Sequence, residues 1–244
     1  MGTYPIVRKF VLTEGYVPIV TMSPPKRKNT MHYTHILFDL DGTLTDSGPG
    51  IMNGFEYAIT KMGGTVEDKS QLKRFVGPPL EESFGTMLGY SPEDTVKAIA
   101  TYREYYFQMG GVLENEVYPG VVKLLEDIKV MGLHSAVATS KFEKGTMIVL
   151  DHFDLTRYFD VIGCGNDTDR KAKKDIIRYV INAYGITDLS KVLMVGDRHY
   201  DIDAAREIGI DSVGVLYGYG NEEEFKKAGA TYIVARPEDI INLL

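Results

Sequence analysis

The sequence predicts an α/β fold: a parallel sheet doubly wound by helices on both faces, with a separate α-helical insert. Three observations predict it. From Ile36 onward, short β-rich runs alternate with segments of helical periodicity. One interval of about seventy residues has no good strand and is far too long for a loop inside a compact domain. Finally, three of the predicted strands end in polar residues of the kinds that carry chemistry.

The strands come in the order ILF (36–38), HSAVAT (134–139), DVIG (160–163), KVLMV (191–195), DSVGV (211–215) and TYIV (231–234). Between them, Val121, Val122, Leu124, Leu125 and Ile128 fit one helix face. Ile176, Ile177, Val180, Ile181 and Tyr184 fit a second, which Gly185 ends; Ala204, Ala205 and Ile208 fit a third, capped by Gly209. Repeated strand–helix–strand units imply a parallel sheet covered on both sides. The strandless interval reads as helical. Its aromatics, Phe55, Tyr57, Phe75, Phe84, Tyr102, Tyr105 and Phe107, suit a small core of its own. Gly48-Pro49-Gly50 and Tyr118-Pro119-Gly120 are the expected hinges at its two ends. The predicted organisation is therefore an N-terminal extension (1–30), an α/β core (31–47 and 118–244) and a helical cap (48–117).

Composition excludes several classes. The chain has 244 residues, 44% of them hydrophobic, enough for a substantial core. Its formal net charge of −7 argues against a nucleic-acid partner. A single cysteine, Cys164, leaves no internal disulfide and no cysteine metal cluster, which fits a reducing, cytoplasmic setting. No apolar run approaches the ~20 residues that span a bilayer, so no membrane partner is expected. The extension lacks a secretory apolar core, and Ile6 stands where a myristoylation signal needs Ser or Thr. Pro24–Lys28 (PPKRK) reads as a solvated linker. Monomer and homodimer are both open.

The chemistry starts at the first strand, ILFDLDGT. Residues two apart on an extended strand point the same way, so Asp39 and Asp41 can both face the crevice above the sheet. Two close carboxylates call for a nearby cation. A calcium loop is excluded, because Leu44 and Gly50 stand where its glycine and glutamate belong. A second carboxylate pair, Asp197 and Asp201, follows the strand VLMVG; one can ligate a metal and the other brace it, or Asp201 can cap the next helix. A third strand ends in Thr139-Ser140-Lys141, whose hydroxyls and N–H groups can hold phosphate oxygens. Arg170, Lys171, Lys173 and Lys174 crowd a helix start, where cations oppose the helix dipole and a bound anion would offset them.

Taken together and in this order, the motifs DxDGT, Thr139 at a strand end, a helix-leading lysine and GDxxxD resemble the haloacid dehalogenase superfamily of phosphohydrolases. The helical insert after the first motif resembles the C1 cap of its subfamily I. RFVGPPLEESF (74–84) and ENEVYPGV (114–121) look closer to phosphoglycolate phosphatase-like members. The resemblance implies a Rossmann-like core and a Mg²⁺-dependent phosphatase acting on a small phosphorylated metabolite. It implies that Asp39 is the nucleophile and Asp41 the acid/base, protonated at the first step beside another carboxylate. Asp39, the Asp41 carbonyl, Asp197 and Asp201 would hold Mg²⁺. Thr139 and Lys173 would grip the transferring phosphoryl group, with Gly42, Thr43, Ser140, Lys141 and the cap's Arg74 around the substrate; Arg103 is a second cap cation. Lys173 is preferred to Lys171 and Lys174 by its distance to the following helix, although the family's Lys-Pro is here Lys173-Lys174. His199 is expected to be a loop histidine and Cys164 a buried bystander.

Within that frame phosphoglycolate leads, with a 5'-nucleotidase or pyrophosphatase as alternatives. A sugar phosphomutase shares the core motifs. A non-catalytic phosphoryl-binding module is the reading of a different class, disfavoured by Asp41 and the cap. Dehalogenation is disfavoured because it needs no acid at position 41.

Overall fold

The computed structural model describes residues 32–244. The N-terminal extension, and the linker reading of Pro24–Lys28 with it, lie outside the described residues.

All six predicted strands form and join one parallel sheet. They are β1 (His35–Phe38), β4 (His134–Phe142), β5 (Val161–Gly165), β6 (Val192–Gly196), β7 (Asp211–Val215) and β8 (Tyr232–Val234). Their spatial order is β5-β4-β1-β6-β7-β8. The chain thus winds one way from β1 through β4 to β5, and the other way from β6 to β8. The order reverses at β1, and the crevice beyond its carboxyl end is where such sheets bind ligands. Phe38 pairs with Val137 on one side and Val195 on the other, so the next residues of three strands emerge at one level.

Alternation along β1 explains why its run is apolar throughout. Ile36 and Phe38 bury in one core with α3 (Val121–Val130) and α4 (Glu143–His152). Leu37 buries in the other, with α5 (Lys173–Tyr184) and α6 (His199–Ile208). Gly185 and Gly209 end α5 and α6 in the left-handed conformation, as expected. Val122 departs from its expected face: it is exposed, while Val121, Leu124, Leu125 and Ile128 are buried. Helix α7 (Glu222–Ala228) covers β7 and β8 with Phe225.

The strandless interval is helical. Its main members are α1 (Gly48–Lys61) and α2 (Pro92–Gln108), joined by a 3₁₀ stretch, Lys69–Phe75, and a π-helical turn, Glu82–Met87. The expected aromatics cluster around Phe55, whose ring centroid lies 4.6 Å from Phe75, 4.7 Å from Phe84 and 5.1 Å from Tyr102, but they are not a core of their own: they bury in one continuous cluster with Ile36, Phe38 and Leu124. Tyr57, Tyr105 and Phe107 are only half-buried. Gly48-Pro49-Gly50 is not a free hinge: it forms the first turn of α1, where proline's missing N–H is harmless. The two chain crossings are instead clasped as a short antiparallel ribbon, β2 (Thr45–Asp46) with β3 (Glu116–Val117).

Candidate active site

The crevice beyond β1 collects the predicted residues from four chain segments. Asp39 follows β1, and its N–H donates to the Val195 carbonyl at 2.9 Å, continuing the sheet by one residue. Its Oδ1 accepts from the Leu40 N–H at 2.8 Å and from Lys173 Nζ at 2.9 Å. Asp39, Asp197 and Asp201 are buried, with a carboxylate oxygen of each within 4.8 Å of the others. Lys173 reaches them from the first turn of α5.

Lys173 Nζ donates to the Ala138 carbonyl at 3.0 Å and forms ion pairs with Asp39 and Asp201, each at 2.9 Å. Lys173 thus holds the Asp39 carboxylate in place, at the site where a phosphoryl group is expected. The other two lysines stand apart. Lys174 pairs with Glu207 on the surface, and Lys171 is an exposed residue at the cavity wall. The capping expectation for Asp201 is met, since its Oδ2 accepts from the Arg198 N–H at the start of α6.

Asp41 lies outside the carboxylate cluster. Lys141 Nζ donates to both its oxygens, at 2.9 and 2.8 Å, in a pair largely removed from solvent. An ammonium thus stands beside Asp41 in addition to the like-charged Asp39. Thr139 Oγ1 accepts from the Lys141 N–H at 3.2 Å. Thr139, Ser140 and Lys141 line one cavity together with Asp39 and Asp41.

Three expected substrate residues sit elsewhere. Gly42 and Thr43 do not line the cavity. Thr43 is fully buried, and its carbonyl accepts from the Tyr217 hydroxyl at 3.0 Å. Gly42 has φ +81°, and a Cβ there would lie 2.1 Å from Asp197 Oδ2. It makes room for that carboxylate. Gly42→Ala adds a strained left-handed alanine to this clash, a backbone cost of about 1–2 kcal/mol before the clash. Activity should fall at least about ten-fold with a lower melting temperature; an unchanged pair of values in phosphate-release and thermal-unfolding assays would contradict this packing. Arg74 is exposed and stacks on Phe75 at 4.8 Å, because its 3₁₀ turn buries Leu72 and Phe75 instead; Arg103 does line the cavity.

His199 opens α6 and pairs with Asp203 at 3.1 Å, away from the three carboxylates, and Cys164 is buried in β5, where burial pushes its thiol up. A supporting loop escaped the sequence reading. After β7, the Tyr219 N–H donates to Asp197 Oδ2 at 2.8 Å, and Gly218 and Gly220 approach Asp197 too closely for any Cβ. The alternating Tyr-Gly-Tyr-Gly at another strand's carboxyl end was the available signal.

Electrostatically, three carboxylates face one buried ammonium, leaving two negative charges uncompensated. Burial pushes the Asp39 carboxyl up to about 6, Lys173 opposing and Asp201 adding to the rise. Burial, then Asp201 and Asp39, hold Asp197 well above the carboxylate range. Asp197 Oδ1 is buried without a hydrogen-bond partner among the described residues. An all-oxygen, net-negative set with an orphaned buried oxygen fits a hard divalent cation such as Mg²⁺.

A sequence model of the haloacid dehalogenase-like hydrolases matches residues 36–215. The chain belongs to that family. Within it, the chain is 37% identical over 204 residues to tyrosine-protein kinase PtkA of Mycobacterium tuberculosis, covering 81% of this chain and 67% of that protein. It is 35% identical over 210 residues to a 5'-nucleotidase of Pseudomonas aeruginosa, covering 86% and 94%. It is similar to the crystal structure of a predicted phosphatase from Clostridium acetobutylicum, with TM-score 0.82 and 42% identity over 87% of this chain and 100% of that one. No helix among the described residues is long and apolar enough to cross a membrane.

Proposed function

We propose that this haloacid dehalogenase-like hydrolase is a Mg²⁺-dependent phosphatase of a small phosphate monoester, working through an aspartyl-phosphate on Asp39. The observation that carries the reading is the Asp39 carboxylate. One oxygen is fixed by Lys173 and the Leu40 N–H, and the residue opens onto a cavity at the sheet's switch point. The phosphatase class is also supported by family membership and by relatives of that activity.

In the first half-reaction Asp39 attacks phosphorus in line, the bond from phosphorus to the leaving oxygen breaks, and Asp41 supplies the proton that oxygen needs. Lys141 holds Asp41. In the second half-reaction Asp41 takes a proton from water, the water oxygen bonds phosphorus, and Asp39 is released with free phosphate. Thr139, Ser140 and Lys141 would donate to the phosphoryl oxygens, a reading supported by their sharing the cavity wall with Asp39. Asp39, Asp197 and Asp201, with the Asp41 carbonyl, would hold Mg²⁺, which offsets repulsion between carboxylate and phosphate and stabilises transition-state charge. The helical segment 48–117 acts as the cap over this centre, and the setting is the cytoplasm.

Two measurements check the metal. Phosphate release from a panel of small esters should vanish in EDTA and return with Mg²⁺; undiminished release in EDTA would refute the metal requirement. The second is thermal unfolding across pH. Asp39 and Asp197 have raised folded-state values, so the stability they bring is full below the ordinary carboxylate range, near 3.8, and is lost as pH rises through the folded values. Mg²⁺ relieves that loss by replacing the protons. The Mg²⁺-induced rise in melting temperature should therefore be small near pH 5 and larger near pH 8, and a rise independent of pH would count against the triad as the site.

A further inference from the structure

The cavity above Asp39 and Asp41 has a volume of about 780 Å³. Asp39 fixes where the phosphoryl end must lie, so the remaining space belongs to the leaving group. A two-carbon acid would fill little of it, since cavities of ~300–1,000 Å³ suit drug-sized ligands. The wall is aromatic: Tyr102, Tyr106 and Phe107 from α2, and Phe142 from the end of β4. Five cations share it: Lys141, Arg170 and Lys171, with Arg103 5.4 Å from the Phe142 ring and Lys144 4.7 Å from the Phe107 ring.

Tyr106 is the informative member. It is 4% exposed, and its hydroxyl has no hydrogen-bond partner among the described residues. Its ring lies 5.0 Å from Lys141 Nζ, the group that grips Asp41. Burial first, and the Asp41 charge second, raise its phenol well above the usual range, so the ring sits within electrostatic reach of the acid/base. A buried hydroxyl left without a partner is costly, and a polar group of a ligand in this cavity would satisfy it.

We propose that the leaving group of the natural ester carries an aromatic ring seated among Tyr102, Tyr106, Phe107 and Phe142, with the Tyr106 hydroxyl hydrogen-bonded to its polar edge. This rests on the phosphatase reading above. Offset or edge-on packing against these rings favours a planar group over an aliphatic one of equal size. A nucleobase and a phenyl ring share this chemistry.

The test is steady-state phosphate release by the full chain with Mg²⁺ from three esters: a nucleoside 5'-monophosphate, free phosphotyrosine and phosphoglycolate. Wild type and Tyr106→Phe run side by side, with a thermal melt of each. At least one ring-bearing ester should exceed phosphoglycolate in kcat/KM by about ten-fold or more. The better of the two then names the ring. Tyr106→Phe should lower kcat/KM for that ester by about ten-fold, mainly through KM, and lower it less for phosphoglycolate. Its melting temperature should not fall, because the change deletes an unpartnered buried hydroxyl. Phosphoglycolate equal to or better than both ring-bearing esters would overturn the inference, as would a Tyr106→Phe loss of equal size on all three or a loss confined to kcat. No release from any ester would overturn the phosphatase reading itself, which is a different failure.

Discussion

Asp39→Asn should abolish phosphate release, by on the order of 10⁴-fold or more, while the protein stays folded. The amide keeps the size of the side chain and an oxygen for the Leu40 N–H and for Lys173, which also retains Asp201 and the Ala138 carbonyl. What it loses is the nucleophile. It also removes one of three crowded carboxylates, so the melting temperature of the metal-free protein should hold or rise. A variant that melts normally and turns over normally would remove Asp39 from the chemistry. A variant that fails only because it unfolds would make Asp39 a structural residue.

Lys173→Met should be the most damaging single change to the metal-free protein. Among the described residues, Lys173 is the one ammonium paired with the cluster of Asp39, Asp197 and Asp201, and it sits almost wholly out of water. Removing one partner of a buried ion pair costs about 3–5 kcal/mol, because the remaining charge is left uncompensated. The loss should be largest near pH 8 and smaller near pH 5, where protonation of carboxyls with raised values relieves the repulsion. Activity should fall even with Mg²⁺ in excess, because Asp39 is then no longer held. Urea unfolding at both pH values, with turnover measured alongside, checks this; a loss below about 1 kcal/mol at pH 8 would mean the cluster is already relaxed without Lys173.

The six strands were legible because a parallel sheet buries both faces of each strand, so ILF (36–38) and VLMV (192–195) read as unbroken apolar runs. The carboxylates were legible because the chemistry sits at strand ends, where a polar residue after an apolar run stands out. Three kinds of feature were not. The ribbon of Thr45–Asp46 with Glu116–Val117 has two residues per strand, too few for any period. Gly48-Pro49-Gly50 reads as a hinge because glycine and proline break elements, yet proline is equally at home in a first helical turn. Partner choice was the third. Lys141 and Lys173 were both read as phosphate contacts, but their protein partners were hidden: Lys141 holds Asp41 a hundred positions away, and Lys173 pairs with Asp39 and Asp201. Tyr106 was hidden for a related reason: in a helix rich in aromatics, only the fold distinguishes a core ring from one whose hydroxyl lacks a partner.

The central claim is that phosphoryl transfer passes through Asp39, and the most direct measurement looks for the transferred group. Wild-type protein turning over a chromogenic aryl phosphate with Mg²⁺ would be quenched in acid and digested. The peptide carrying Asp39 would then be examined by mass spectrometry, with borohydride reduction to mark an acyl phosphate. The account predicts a phosphoryl group on Asp39, absent before substrate is added and absent in Asp39→Asn. Sustained phosphate release with the group on another residue would contradict it.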